Sequence, residues 1–126
     1  MAKDILLAED DRFLRRACET KLKQRGFHVR VAVDGDETLA LVRERIPDLL
    51  LLDLLMPKRD GLAVLEALRA DDATRGIPVV ILSNSSKDFE TWKASTLGAV
   101  DYWIKSNLSL QEICDRVERL LREPPA

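Results

Sequence analysis

The chain has 126 residues, 46% of them apolar, and its 20 Lys and Arg against 22 Asp and Glu leave a formal charge of −2. That is the size and make-up of one folded domain with its own core, and it excludes a disordered chain. The near balance of charge argues against a basic nucleic-acid-binding domain, though not against a local patch. The first apolar run is Ile5-Leu6-Leu7-Ala8, read as a strand. A helix follows with Leu14, Ala17, Cys18 and Leu22 on one face, ending at Gly26. Phe27 to Ala32 reads as the second strand. Asp34 three residues before Glu37 marks the next helix start. Leu39, Val42 and Ile46 continue its apolar face, and Pro47 stops it.

Asp48 to Leu52 is the most apolar strand, and a continuous run suits a strand covered on both faces. Met56 to Gly61 is a loop, and Leu62, Leu65 and Leu68 make the third helix face. After the polar loop Asp71 to Gly76, Ile77 to Leu82 is the fourth strand, with Pro78 tolerated near its start. Phe89, Trp92, Thr96 and Leu97 stand at helical spacing, so both aromatics are expected in the core rather than at an interface. Gly98 ends that helix, and Tyr102 to Ile104 is the last strand. Ser109 and Glu112 form a capping box before the regular amphipathic helix of Leu110, Ile113, Cys114, Val117, Leu120 and Leu121. Five strands alternate strictly with five helices. The fold class is therefore α/β, a doubly wound parallel sheet with right-handed crossovers and helices on both faces.

No apolar stretch reaches the ~20 residues of a membrane span, and the N-terminus lacks a signal-peptide pattern. Cys18 and Cys114 are far apart without CxxC spacing, and the chain has one His, so no Cys/His metal cage is available. The two thiols read as reduced, buried small hydrophobes of a cytoplasmic protein.

Function in an open parallel sheet lies beyond the carboxyl ends of its strands. Glu9-Asp10-Asp11 end the first strand, Asp53 the third, Ser83-Asn84 the fourth and Lys105 the fifth. Asp11 alone reads as a helix cap. Glu9, Asp10 and Asp53 together would repel unless a cation joined them, and hard oxygen donors select Mg²⁺ or a similar ion. Lys105 suits a phosphoryl oxygen as a point charge, and the Ser83 hydroxyl can donate to another. Asp53 is then placed as a nucleophile that forms an acyl phosphate.

These residues resemble the receiver domain of bacterial two-component response regulators, single-domain chemotaxis regulators among them. The resemblance runs from Ile5 to Leu121. It rests on Ile5-Leu6-Leu7-Ala8-Glu9-Asp10-Asp11, Leu51-Leu52-Asp53-Leu54-Leu55-Met56-Pro57 with Gly61, Val80-Ile81-Leu82-Ser83, and Gly98-Ala99-Val100-Asp101-Tyr102-Trp103-Ile104-Lys105. It implies a flavodoxin-like (βα)5 sheet of order 2-1-3-4-5. It implies that Asp53 accepts a phosphoryl group from a histidine kinase or a histidine phosphotransfer protein. Glu9, Asp10, Asp53 and the Leu55 backbone carbonyl would bind Mg²⁺ or Mn²⁺, with Asp10 the more direct ligand of the acidic pair. Ser83 and Tyr102 would be the switch residues and Lys105 the family's lysine. The output partner would meet the face formed by the fourth helix, fifth strand and fifth helix. The domain would bind no nucleic acid directly and no membrane.

Residues 1–126 are expected to form one receiver domain with no output domain, a phosphorelay switch that also assists its own dephosphorylation and is not a turnover enzyme. Three departures from the family pattern stand out. Ser106 follows the lysine where Pro is usual, so a trans bond is expected there. Asn84, bulkier and polar, follows the switch hydroxyl. Leu55 stands two after the acceptor, and with Ser85 it would flank the path of an attacking water. Two other readings share the site. A Mg²⁺-dependent phosphohydrolase would need a second acid at position 55, and a flavin-binding protein would need a phosphate loop where Glu9-Asp10-Asp11 stand.

Overall fold

The computed structural model describes residues 2–84 and 87–122, with the backbone alone at Asp88 and Phe89. Along the chain run β1 (Asp4–Ala8), α1 (Arg12–Gln24), β2 (His28–Ala32), α2 (Gly35–Glu44), β3 (Leu49–Leu52), α3 (Gly61–Ala70), β4 (Val79–Ser83), α4 (Asp88–Thr96) and β5 (Asp101–Ile104). A 3-10 turn (Lys105–Asn107) and α5 (Leu110–Arg122) complete it. The strands form one parallel sheet in the order β2-β1-β3-β4-β5.

Alternation along each strand divides the core in two. Leu6, Leu50, Leu52, Val79 and Ile81 face α2, α3 and α4, where Val42, Val64, Leu65 and Leu68 cover them. Ile5, Leu7, Leu49, Leu51, Val80 and Leu82 face α1 and α5, where Cys18, Leu22, Ile113, Cys114 and Val117 cover them. Leu49–Leu52 is buried on both faces, as its unbroken apolar run requires. Both cysteines are free and buried, and burial pushes the Cys18 thiol up to about 12, which leaves it unreactive.

The helix ends form where the sequence places them. Asp34 Oδ1 accepts from the Glu37 N–H at 2.7 Å, and Glu37 reaches back to the Val33 N–H at 3.0 Å. Ser109 and Glu112 exchange backbone-to-side-chain bonds at 3.1 Å each. Gly26 and Gly98 take positive φ after α1 and α4, which glycine tolerates without strain.

Three expectations about the core fail, and the first is Leu120 on the apolar face of α5, which is 38% exposed. Ile46 lies beyond the end of α2 and is half exposed, because the helix stops at Glu44. Trp92 is 63% exposed, since Ala94 and Leu97 instead turn α4 toward the sheet. The side chain of Phe89 lies outside the described residues.

Away from the strands' carboxyl ends, one buried charge is tightly held. The Asp4 carboxylate accepts from Arg30 at 2.7 and 3.4 Å, and Arg30 also donates to the carbonyls of Leu41 and Arg45. Asp4→Ala leaves the mostly buried guanidinium without its counter-ion. Urea unfolding should show a loss of about 2–3 kcal/mol.

Candidate functional site

Strand register builds the site. Ala8 pairs with Leu52, so Glu9 and Asp53, one residue further on, leave neighbouring strands at the same level. Their backbones stay attached to the sheet through Glu9 N–H to the Ala32 carbonyl and Asp53 N–H to the Ala8 carbonyl, both 3.0 Å. Ser83 pairs with Ile104, which places Lys105 one step past the last rung of β4 and β5.

Glu9, Asp10 and Asp53 each offer a carboxylate oxygen, and these oxygens lie within 4.8 Å of one another. Glu9 and Asp53 are buried and Asp10 is exposed. The Lys105 ammonium lies 2.9 Å from Asp53 Oδ2 and 2.5 Å from Glu9 Oε1. Only the bond to Asp53 has hydrogen-bond direction; the contact with Glu9 Oε1 is an ion pair, and that buried oxygen has no hydrogen bond. Asp53 Oδ1 accepts from the Leu55 N–H at 3.3 Å, and Glu9 Oε2 accepts from the Asp11 N–H at 3.0 Å.

Three carboxylates around one ammonium are short of positive charge. Two like charges ~5 Å apart at an effective dielectric of about 20 repel by roughly 3 kcal/mol. Burial pushes the Glu9 carboxyl up to about 7, with the charge of Asp53 adding to the effect; Lys105 and the Asp11 N–H oppose it. Burial also works against the Lys105 ammonium, but Glu9 and Asp53 outweigh it and raise its pKa, so Lys105 stays charged.

The donor set fits a hard divalent cation. It is all oxygen, two members are buried, and the buried Glu9 Oε1 accepts no hydrogen bond. A cation bound through Glu9 would compete with its proton. Mg²⁺ affinity should therefore climb with pH up to about 7, by up to about tenfold per unit, and level off above it. Titration of Mg²⁺ by calorimetry from pH 5.5 to 8.5 checks this, and a flat profile would contradict the Glu9 assignment.

The other residues singled out in the sequence are also located. Asp11 is the N-cap of α1, accepting from the N–H groups of Phe13 and Leu14. Ser83 is buried at the end of β4. Tyr102 is half-buried against the core on the α4 side of the sheet. Leu55 is 64% exposed at the rim. No peptide bond among the described residues is cis, so Ser106 follows Lys105 through a trans bond as expected. Ser85 lies outside the described residues.

One contributor, Arg15, escaped the sequence reading, and a second, Gly61, entered it only as part of the matched motif. Arg15 donates to the carbonyls of Glu9 at 2.9 Å and Asp10 at 3.2 Å, clamping the acidic loop from the first turn of α1. Its five- and six-residue spacing from that loop was the available signal. Gly61 lets the start of α3 press against the peptide of Asp53; nothing local in the sequence announces that contact.

Known proteins share both the fold and the sequence pattern. The family model described as "Response regulator receiver domain" matches residues 5–118. The transcriptional activator protein PfeR of Pseudomonas aeruginosa is 40% identical over 118 residues, which is 94% of this chain and 37% of PfeR. The chain spans 37–49% of the length of the curated relatives it matches. The phosphorylated cyanobacterial phytochrome response regulator RcpA superposes with a TM-score of 0.89 at 30% identity, covering 100% of this chain and 98% of that one. The Mn²⁺-bound form of response regulator Rcp1 gives 0.87 at 27% identity, covering 98% and 97%. No helix among the described residues is long and apolar enough to cross a membrane. A family match from Ile5 to Glu118, on this sheet order and above this acidic cluster, settles the relationship: the chain belongs to the response regulator receiver domains, phospho-accepting signalling switches rather than turnover enzymes.

Proposed function

We propose that Asp53 is the phosphoryl acceptor and that its donor is a phosphohistidine on a histidine kinase or a histidine phosphotransfer protein. The observation that carries this is the setting of the Asp53 carboxylate. It stands at the end of β3 between the Lys105 ammonium and the Leu55 N–H, beside two further carboxylates. One Asp53 oxygen attacks phosphorus, the phosphorus–nitrogen bond breaks, and the imidazole leaves with the electron pair and takes up a proton. Charge neutralisation and positioning carry such a transfer. Lys105, already charged and 2.9 Å away, turns from the carboxylate to a phosphoryl oxygen. The Ser83 hydroxyl, one strand away from Asp53, donates to another.

Glu9, Asp10, Asp53 and the Leu55 backbone carbonyl would hold Mg²⁺ or Mn²⁺. The ion would supply positive charge to the transferring phosphoryl oxygens. With Ser83 drawn toward the phosphoryl group, Tyr102 on the adjoining strand would shift with it, and α4, β5 and α5 would present the changed face to an output partner. Trp92 and Val100 leave apolar surface there, in keeping with a docking role.

The phosphohydrolase reading finds no second acid at position 55, where the exposed side chain is Leu. The flavin reading meets a carboxylate cluster where a phosphate would have to sit.

Incubation with acetyl phosphate and Mg²⁺, followed by borohydride reduction, tests the acceptor. Reduction converts an aspartyl phosphate to homoserine. Peptide mapping should find homoserine at position 53 and only with the divalent ion present; homoserine at another aspartate, or the one-carbon-longer hydroxy acid at a glutamate such as Glu9, would overturn the assignment.

A further inference from the structure

Two departures from the family pattern meet in space. Asn84 follows Ser83, and Ser106 follows Lys105. Because Ser106 is not a proline it has a backbone N–H, and that N–H donates to Asn84 Oδ1 at 2.9 Å across 22 residues of sequence. The donor is a backbone amide, so the amide oxygen must be the group presented to it. The last backbone rung between β4 and β5 is Ser83 with Ile104. The Asn84 bond therefore adds one rung, made by a side chain, beyond the end of the sheet.

Lys105 sits between those two rungs. Its own carbonyl accepts from the Leu108 N–H at 3.2 Å, which closes the turn behind it. Its backbone is thus held before, behind and alongside. A lysine reaches its target through a flexible four-carbon stem, so the precision of its ammonium depends on how firmly that backbone is held. The ammonium here must address two carboxylates at 2.5 and 2.9 Å. Asn84 and the Ser106 N–H are both at the surface, so this bond contributes little to the core and its effect falls on what it holds in place.

We infer that Asn84 is a positioning residue: through the Ser106 N–H it holds Lys105 over Asp53 and so speeds phosphoryl transfer. The kinetic part rests on the acceptor role proposed for Asp53; the bond itself does not.

The test uses the full chain and two readouts. Amide hydrogen exchange by NMR reads the bond without any phosphodonor, and the Ser106 amide should exchange about tenfold faster in Asn84→Ala. Labelling rate with acetyl phosphate at saturating Mg²⁺ reads the consequence. Asn84→Ala should slow it about fivefold with an unchanged melting temperature, and the same substitution in a Lys105→Met background should cost nothing further. A wild-type rate in Asn84→Ala, an equal loss in the Lys105→Met background, or an unaltered Ser106 amide would each overturn the inference. Failure of the wild-type chain to label would instead count against Asp53 as acceptor, and the exchange result would still decide whether the bond exists.

Discussion

Asp53→Asn should abolish Mg²⁺-dependent labelling by acetyl phosphate, a loss of ~10³-fold or more. The amide has the shape of the carboxylate but no charged oxygen to attack phosphorus. Its oxygen can still accept from the Leu55 N–H, so the loop after β3 keeps its local bond. Lys105 loses its 2.9 Å partner and keeps Glu9 at 2.5 Å. The fold should therefore survive, and a thermal melt separates lost chemistry from lost structure. A second change follows from the electrostatics. The charge of Asp53 is one of the causes that raise the Glu9 carboxyl, so its removal should move Glu9 down from about 7. Carboxyl titration by NMR reads that shift. Labelling that persists in Asp53→Asn would move the acceptor to Glu9 or Asp10.

Gly61→Ala has the second largest expected effect, and its cause is steric. A Cβ at position 61 would stand 2.2 Å from the Asp53 carbonyl oxygen and 2.7 Å from Leu54 Cα. Both obstacles are backbone, so no side-chain rotation relieves them. The Gly61 N–H also donates to the Leu54 carbonyl at 2.9 Å, which locks α3 against the segment that carries Asp53. Overpacking of this kind should cost about 3 kcal/mol in urea unfolding. Phosphoryl transfer should slow as well, because the displaced backbone is the one that carries Asp53. Gly76 supplies the contrast: a Cβ there meets nothing within 4 Å and the backbone is not left-handed. Gly76→Ala should stay within about 0.5 kcal/mol of the wild type. Equal stability of the two variants would refute the close approach at Gly61.

Much of the site is legible in the chain because it follows from strand ends. Once Ile5–Ala8, Leu49–Leu52, the run ending at Leu82 and the one ending at Ile104 are read as parallel strands, Glu9, Asp53, Ser83 and Lys105 fall on one edge. The structure brings Glu9, Asp10, Asp53 and Lys105 together there. It also separates residues that look alike on paper. Glu9 and Asp10 are adjacent acids, yet Glu9 is buried with a raised pKa and Asp10 is exposed. Burial depends on what α1, β3 and β5 lay over each side chain, and no local pattern encodes that.

The sequence by itself determined the alternation of strands and helices, the two-sided burial of β3, the caps at Asp34 and Ser109, and the residues at the strand ends. These depend on interactions within a few residues or on simple periodicity. Only the tertiary structure decided the exposure of Trp92, the Arg15 clamp, the closeness of Gly61 to Asp53 and the bond from Ser106 to Asn84. Trp92 shows why. Its spacing fits a buried helix face, but α4 touches the sheet through Ala94 and Leu97, and helical spacing alone does not say which side of a short helix meets its neighbour. Contacts between residues distant in sequence depend on sheet register and on the placement of each helix over it, and those are properties of the whole packed molecule.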